Sequence, residues 1–247
     1  YITGSLILLA TLLALITVKE QFRRTDAKSQ NHINLLASFR KLVKIPQIPA
    51  LYAVTVGIQV SMLSSMLLIP LFVQELHGLH MLAFYAGLVG SVTGFSNTFA
   101  SPLLGRLSDR IGHVKVLTAC LIGAALSFIP QAFVNNIWQL LASRFLLGIF
   151  MGGMLPSVNW LLPKFTPDGM ESRAYGFNSS FLALGNIAGP VLGGALSGLI
   201  GIRGIFLFAT CLLLLNSAWT WTTLRRKAFV PAGGGEQSAR TEHEHRK

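Results

Sequence analysis

The chain has 247 residues, 52% of them hydrophobic and only 12% charged, with a mean hydropathy of +0.58. A soluble domain carries about a quarter charged residues, so a disordered chain, a nucleic-acid module and an ordinary cytosolic enzyme are excluded. The net charge of +11 points instead to basic loops beside a membrane. Cys120 and Cys211 both lie in apolar runs and read as small core residues, so neither a disulfide framework nor a metal site follows.

An apolar run over residues 2–18 opens the chain. It has no basic stretch before it and no small-residue cleavage site after it, so it does not read as a signal peptide. It falls just short of the roughly 20 residues a membrane span needs. We read 1–18 as a transmembrane helix cut at its N-terminal end, and the chain as a fragment. Six further apolar segments follow, over approximately 50–73, 83–104, 114–134, 138–162, 175–200 and 204–222. The predicted fold class is an all-α integral membrane protein with seven transmembrane helices.

The positive charges alternate from connection to connection. Lys19, Arg23, Arg24, Lys28, Arg40, Lys41 and Lys44 follow the first span. Arg106, Arg110 and Lys115 lie between the third and fourth, and Lys164 and Arg173 between the fifth and sixth. Arg225, Arg226, Lys227, Arg240, Arg246 and Lys247 close the chain. These connections share one side and hold eighteen of the twenty Lys and Arg residues, whereas the opposite loops hold only Arg203. By the positive-inside rule, the C-terminus and the 19–48 segment are cytoplasmic.

The 19–48 segment is the main connector. Leu35, Leu36, Phe39, Leu42 and Val43 form a helical stripe, and Arg40, Lys41 and Lys44 can reach lipid phosphates. The segment reads as a short amphipathic surface helix or as a solvated connector. Pro46 and Pro49 break the chain before the next span. Residues 49–227 form a six-helix membrane unit. The tail over 228–247 is rich in Pro, Gly and charge and reads as disordered, with His243 and His245 alternating with Glu242 and Glu244.

The connection after the third span reads Gly105-Arg106-Leu107-Ser108-Asp109-Arg110-Ile111-Gly112-His113-Val114-Lys115. We expect a tight turn of about nine residues, with Gly105 and Gly112 allowing helix ends and Asp109 favoured shortly before the next helix start. The sixth segment carries Gly176, Gly185, Gly189-Pro190 and Gly193-Gly194. Glycines four apart make a smooth face for a neighbouring helix, and Pro190 can kink its own.

The order of Gly105, Leu107, Asp109, Arg110, Gly112 and Lys115 resembles the cytoplasmic loop signature of the major facilitator superfamily, with His113 where the signature has arginine. The glycine-proline spacing resembles the antiporter motif of the drug/proton antiporters in that superfamily. That motif is best known in the fifth span, whereas here it occupies the repeat-equivalent eleventh. The resemblance covers nearly the whole chain to about Arg226. It implies spans six to twelve of a twelve-span transporter, the last six forming its C-terminal bundle, with an N-terminal half outside this sequence. It implies no cofactor and no enzymatic chemistry. The partners would be a small-molecule substrate, protons and the lipid bilayer of the bacterial inner membrane, not nucleic acid.

Candidate pathway-lining residues are Gln59, Asn97, Arg144, Asn159 and Asn178; each can bond a substrate or a neighbouring helix. Arg144 lies within a span, where a cation is costly and faces the bundle interior. By the resemblance it is the repeat-symmetry counterpart of a fourth-span arginine associated with proton coupling, which does not by itself give it the same task; it can equally be a structural cation bonded to backbone carbonyls. No Asp or Glu falls inside a span, so the proton carrier is expected in the other half and this chain alone is not expected to transport. No catalytic motif is present. These features converge on proton-coupled efflux of drug-like molecules by alternating access. A metabolite or sugar symporter of the same superfamily and a membrane receptor or scaffold are the alternatives.

Overall fold

The computed structural model describes Ser5, Thr11 and residues 35–225. Apart from those two positions, the expected span over 1–18, the connector up to residue 34 and the tail over 228–247 lie outside the described residues. The chain divides into residues 1–37 and 38–247, and the account below concerns the second unit. Among the described residues every regular element is a helix.

Helix α1 (Leu35–Val43) buries Ser38 and Leu42 and leaves Arg40 and Lys41 exposed. Helix α2 (Gln47–Met66) begins directly after Pro46. Pro49 sits in its first turn, where a missing N–H costs nothing, so the prolines start this helix rather than holding the chain off it. Helix α3 (Ile69–His77) continues the span after a break. The N–H groups of Leu67 and Leu68 reach the Leu63 and Ser65 carbonyls at 3.4 and 3.3 Å, and Pro70 cannot donate to Met66. The hydroxyls of Ser61, Ser64 and Ser65 donate to carbonyls within their own turns. Such local bonds satisfy polar groups inside an apolar helix and favour bending.

Helix α4 (Leu82–Ile111) and helix α5 (His113–Phe133) are separated by Gly112 alone, at φ 99. The expected nine-residue turn is therefore absent. The signature segment is helical through Ile111, Gly105 lies inside α4, and Asp109 occupies the last turn of α4, four residues before α5 starts at His113. Gly112 does the turning, because its positive φ is open to glycine at little steric cost. Helix α6 (Ile137–Phe165) is capped by Asn136, whose side chain accepts from the Trp138 N–H at 3.2 Å.

The long element α7 (Glu171–Arg225) is interrupted at Gly201, where φ is 72 and ψ 170. Its first arm, 171–200, stays helical through Pro190. Contacts show that the second arm, 202–225, runs back. Along α2 the first arm rises from Gly185 beside Gln59 to Gly193 beside Ser64. The second arm descends from Phe206, packed edge-on against Phe72 of α3, to Asn216 beside Gly57.

Among the described residues, four stretches are long and apolar enough to cross a membrane: Gln47–His77, His113–Phe133, Ile137–Phe165 and Glu171–Leu224, the last holding both arms of α7. Helix α4 has 30 residues but is not among them; Gly, Ser, Thr and Asn recur through its middle. The core is built from Tyr52, Phe72, Leu117, Leu121, Phe128, Leu140, Leu147, Met154 and Phe206. The elements alternate in direction. Arg40, Lys41, Lys44, Arg106, Arg110, Lys115, Lys164 and Arg173 gather at one end, while Arg203 and Glu75 pair at 3.6 Å at the other. We call the first the basic end.

Candidate functional site

Two helix pairs pack unusually closely, and glycine is the reason for both. In the first, Gly185, Gly189 and Gly193 of α7 face α2. A Cβ at Gly189 would lie 2.9 Å from the Leu63 Cβ, and one at Gly193 would lie 2.6 Å from the Ser64 carbonyl oxygen. In the second, Gly148, Gly152 and Gly153 of α6 face α4 and α5. A Cβ at Gly152 would lie 2.8 Å from the Ser101 nitrogen and 3.1 Å from Asn97 Oδ1. One at Gly148 would overlap the Ser96 hydroxyl and the Thr93 carbonyl, and one at Gly153 would lie 2.5 Å from Cys120 Sγ. Gly176 and Gly194 face open space and belong to neither seam.

A ladder of polar groups climbs the α2–α7 seam. Nearest the basic end, the Tyr52 hydroxyl donates to the Ala174 carbonyl at 3.1 Å. One turn on, the Thr55 hydroxyl donates to Asn178 Oδ1 at 3.0 Å, both residues being buried. A further turn on, Gln59 Nε2 donates to Asn186 Oδ1 at 2.6 Å, and this pair is not enclosed. Asn186 was not among the sequence candidates, although it follows Gly185 directly in the glycine row. With Gln59 Nε2 and Asn186 Oδ1 engaged, Gln59 Oε1 and Asn186 Nδ2 remain to offer one acceptor and one donor.

The other candidates are dispersed. Asn97 borders the α4–α6 seam beside Gly152. Asn159 is exposed, and its backbone carbonyl accepts from the Tyr175 hydroxyl at 2.7 Å. Arg144 is only 4% exposed and lies enclosed, its guanidinium carbon 5.9 Å from the Phe128 ring centre and 5.8 Å from that of Phe206. Among the described residues its Nε and Nη2 have no hydrogen-bond partner. The structure therefore joins Gln59 and Asn178 to one seam and sets Arg144 apart, among α5, α6 and the second arm of α7.

At the basic end Gly105 faces open space, and Leu107, Arg110 and Lys115 are exposed. Asp109 and His113 meet at 3.4 Å. The His113 ring lies flat on the Trp160 ring, with centroids 3.6 Å apart and planes 1° apart, and Lys164 Nζ stands 4.7 Å from that indole. Trp160 escaped sequence reasoning because one tryptophan at a helix end carries no periodic signal. The described residues hold no cluster of His, Cys, Asp or Glu suited to a metal.

Residues 60–243 match the family Major Facilitator Superfamily. The chain is 36% identical over 228 residues to the multidrug resistance protein MdtG of Escherichia fergusonii, covering 92% of this chain and 55% of that one. It is 37% identical over 228 residues to the protein of the same name from Serratia proteamaculans, with the same coverage. The chain thus spans about half the length of these relatives. Among solved structures it resembles the Escherichia coli fucose:proton symporter FucP, with a TM-score of 0.65 at 19% identity over 89% of this chain and 53% of that one. A second structure of FucP, in the outward conformation, gives a TM-score of 0.63 at 17% identity.

Proposed function

Since the chain belongs to the major facilitator superfamily, we propose that it forms one wall of a carrier that exports drug-like small molecules in exchange for protons. It is a transporter and not an enzyme. In the proposed mechanism two six-helix bundles rock about a site near the midplane, and the helices of residues 49–227 make one of them.

The observation that carries this reading is the Gln59–Asn186 pair. Two carboxamides partway along apolar helices, bonded to each other but not enclosed, are poorly suited to face lipid tails. They suit a water-accessible path, where their spare acceptor and donor can hold a polar group of a substrate. The name of the MdtG relatives supports drugs as the cargo class. Away from their ends the spans of this chain hold no Asp or Glu, and Glu75, at the end opposite the basic one, is paired with Arg203. The proton-binding carboxylate is therefore assigned to the facing bundle. The basic end faces the cytoplasm of a bacterial inner membrane, as does the C-terminus.

Drug accumulation in cells producing the transporter tests this reading, with and without an uncoupler that collapses the proton gradient. Gradient-driven efflux is expected, and it is expected to weaken in Gln59→Leu/Asn186→Leu while the amount of protein in the membrane holds. Efflux indifferent to the gradient would remove the proton from the mechanism. Proton-driven uptake of a sugar would replace export with symport.

A further inference from the structure

We propose that His113, Trp160 and Asp109 form a proton-operated clasp at the basic end, closed when the imidazole is neutral and opened when it is protonated. The clasp ties three helices. Asp109 lies in the last turn of α4, His113 is the first residue of α5 after the one-residue Gly112 hinge, and Trp160 stands on α6 one turn before Lys164. The imidazole is 8% exposed and overlaps the indole face to face, with centroids 3.6 Å apart.

The charged groups around the imidazole decide the sign. Lys164 of α6 already stands over the same indole, 4.7 Å from its centre, so an imidazolium would bring a second cation to that ring. Burial adds the cost of desolvating a new charge. The compensation available is Asp109 of α4, at 3.4 Å but with its side chain 68% exposed, where water screens the attraction, and a cation–π attraction to the indole, which Lys164 already shares and which is weak because Trp160 is 43% exposed. Cost exceeds gain, so protonation favours release of the ring into water. Histidine is the side chain whose ordinary titration range makes this possible near neutral pH; an arginine at the same position stays charged throughout and cannot switch. The consequence is mechanical. With the stack broken, α5 and α6 lose their aromatic tie at the basic end. The inference concerns these helix ends and does not depend on what the carrier transports.

Trp160 is itself the reporter. The purified protein in lipid nanodiscs is titrated from alkaline to acidic pH while tryptophan emission is followed. The expected result is a red shift on acidification, as the indole loses its cover. Trp160→Phe should abolish the step, which assigns it, and so should His113→Gln. Asp109→Asn should move the midpoint to lower pH and Lys164→Gln to higher pH, because one removes a charge that favours the cation and the other a charge that opposes it. Quenching on acidification without a red shift would reverse the sign and overturn the clasp as stated. A step that survives in His113→Gln, or none in the unaltered protein, would overturn it altogether. Gel filtration of each variant separates a lost step from a lost fold. If the clasp holds and drug efflux does not, the proposed cargo is wrong and the switch stands; the converse result is equally readable.

Discussion

A guanidinium enclosed by Phe128 and Phe206, with two of its nitrogens unpartnered, is a costly residue to retain in an apolar bundle. The rings recover part of that cost through the cation–π contact, worth up to about 2 kcal/mol when desolvated. Gln131 Oε1, on the same helix as Phe128, is also buried without a partner. Arg144 therefore does not behave as a settled structural ion pair. Arg144→Met is expected to leave thermal stability in detergent unchanged or raised, because replacing a poorly paired buried charge by an apolar side chain is often neutral or stabilising. It is expected to impair transport per folded molecule. A large loss of melting temperature would make the residue a structural cation instead. The Thr55–Asn178 bond makes a contrasting case, since both partners are buried and satisfied. Asn178→Leu does not strand the Thr55 hydroxyl, because its one hydrogen can be donated instead to the Leu51 carbonyl at 3.0 Å. The expected loss is about 1 kcal/mol, near the net worth of one hydrogen bond, and a denaturation series would read it.

At the scale of the helix, the two glycine seams set how near the elements can come. Gly189→Leu adds a side chain where even a single carbon would meet Leu63 at 2.9 Å. The added bulk forces α2 and α7 apart at a cost of about 1–3 kcal/mol. Ala195→Leu, on the same arm but exposed, should cost far less. Equal loss of monodisperse protein for both variants would show that the row is not a packing seam. This seam was legible in the sequence because four-residue spacing is a geometric statement about one helix face. The second seam has the same four-residue spacing at Gly148 and Gly152, a single pair too short to mark a helix face by itself. Two features could not be read. The length of the α4–α5 connection depends on how far helix geometry persists through Ser108-Asp109-Arg110-Ile111, and those residues are compatible with turn or helix alike. The partner of Gln59 is set by the register between α2 and α7, which no local pattern records.

For the whole molecule, the separation of charge is the strongest legible feature, and it has a physical origin. Lys and Arg are retained on the side where moving them across the bilayer would cost most, so alternate connections become basic. The folded chain gathers eight of the described ones at one end, with Arg173 donating to the Ser38 hydroxyl at 2.9 Å and Lys164 beside the indole of Trp160. The opposite end carries Glu75, Arg203, and the short connections at Gly78, Val134–Asn136 and Gly201. Orientation then follows from the charge, and the helix count tests it independently. Alkaline phosphatase fused after Gly112 should be inactive, because the enzyme needs the oxidising side of the membrane to form its disulfides. The same reporter fused after Asn135 should be active. The two sites are separated by α5 alone, so their activities must differ if that 21-residue helix crosses the bilayer. Equal activities would mean that α5 does not span; reversed activities would place the basic end, and with it the His113 clasp, outside the cell.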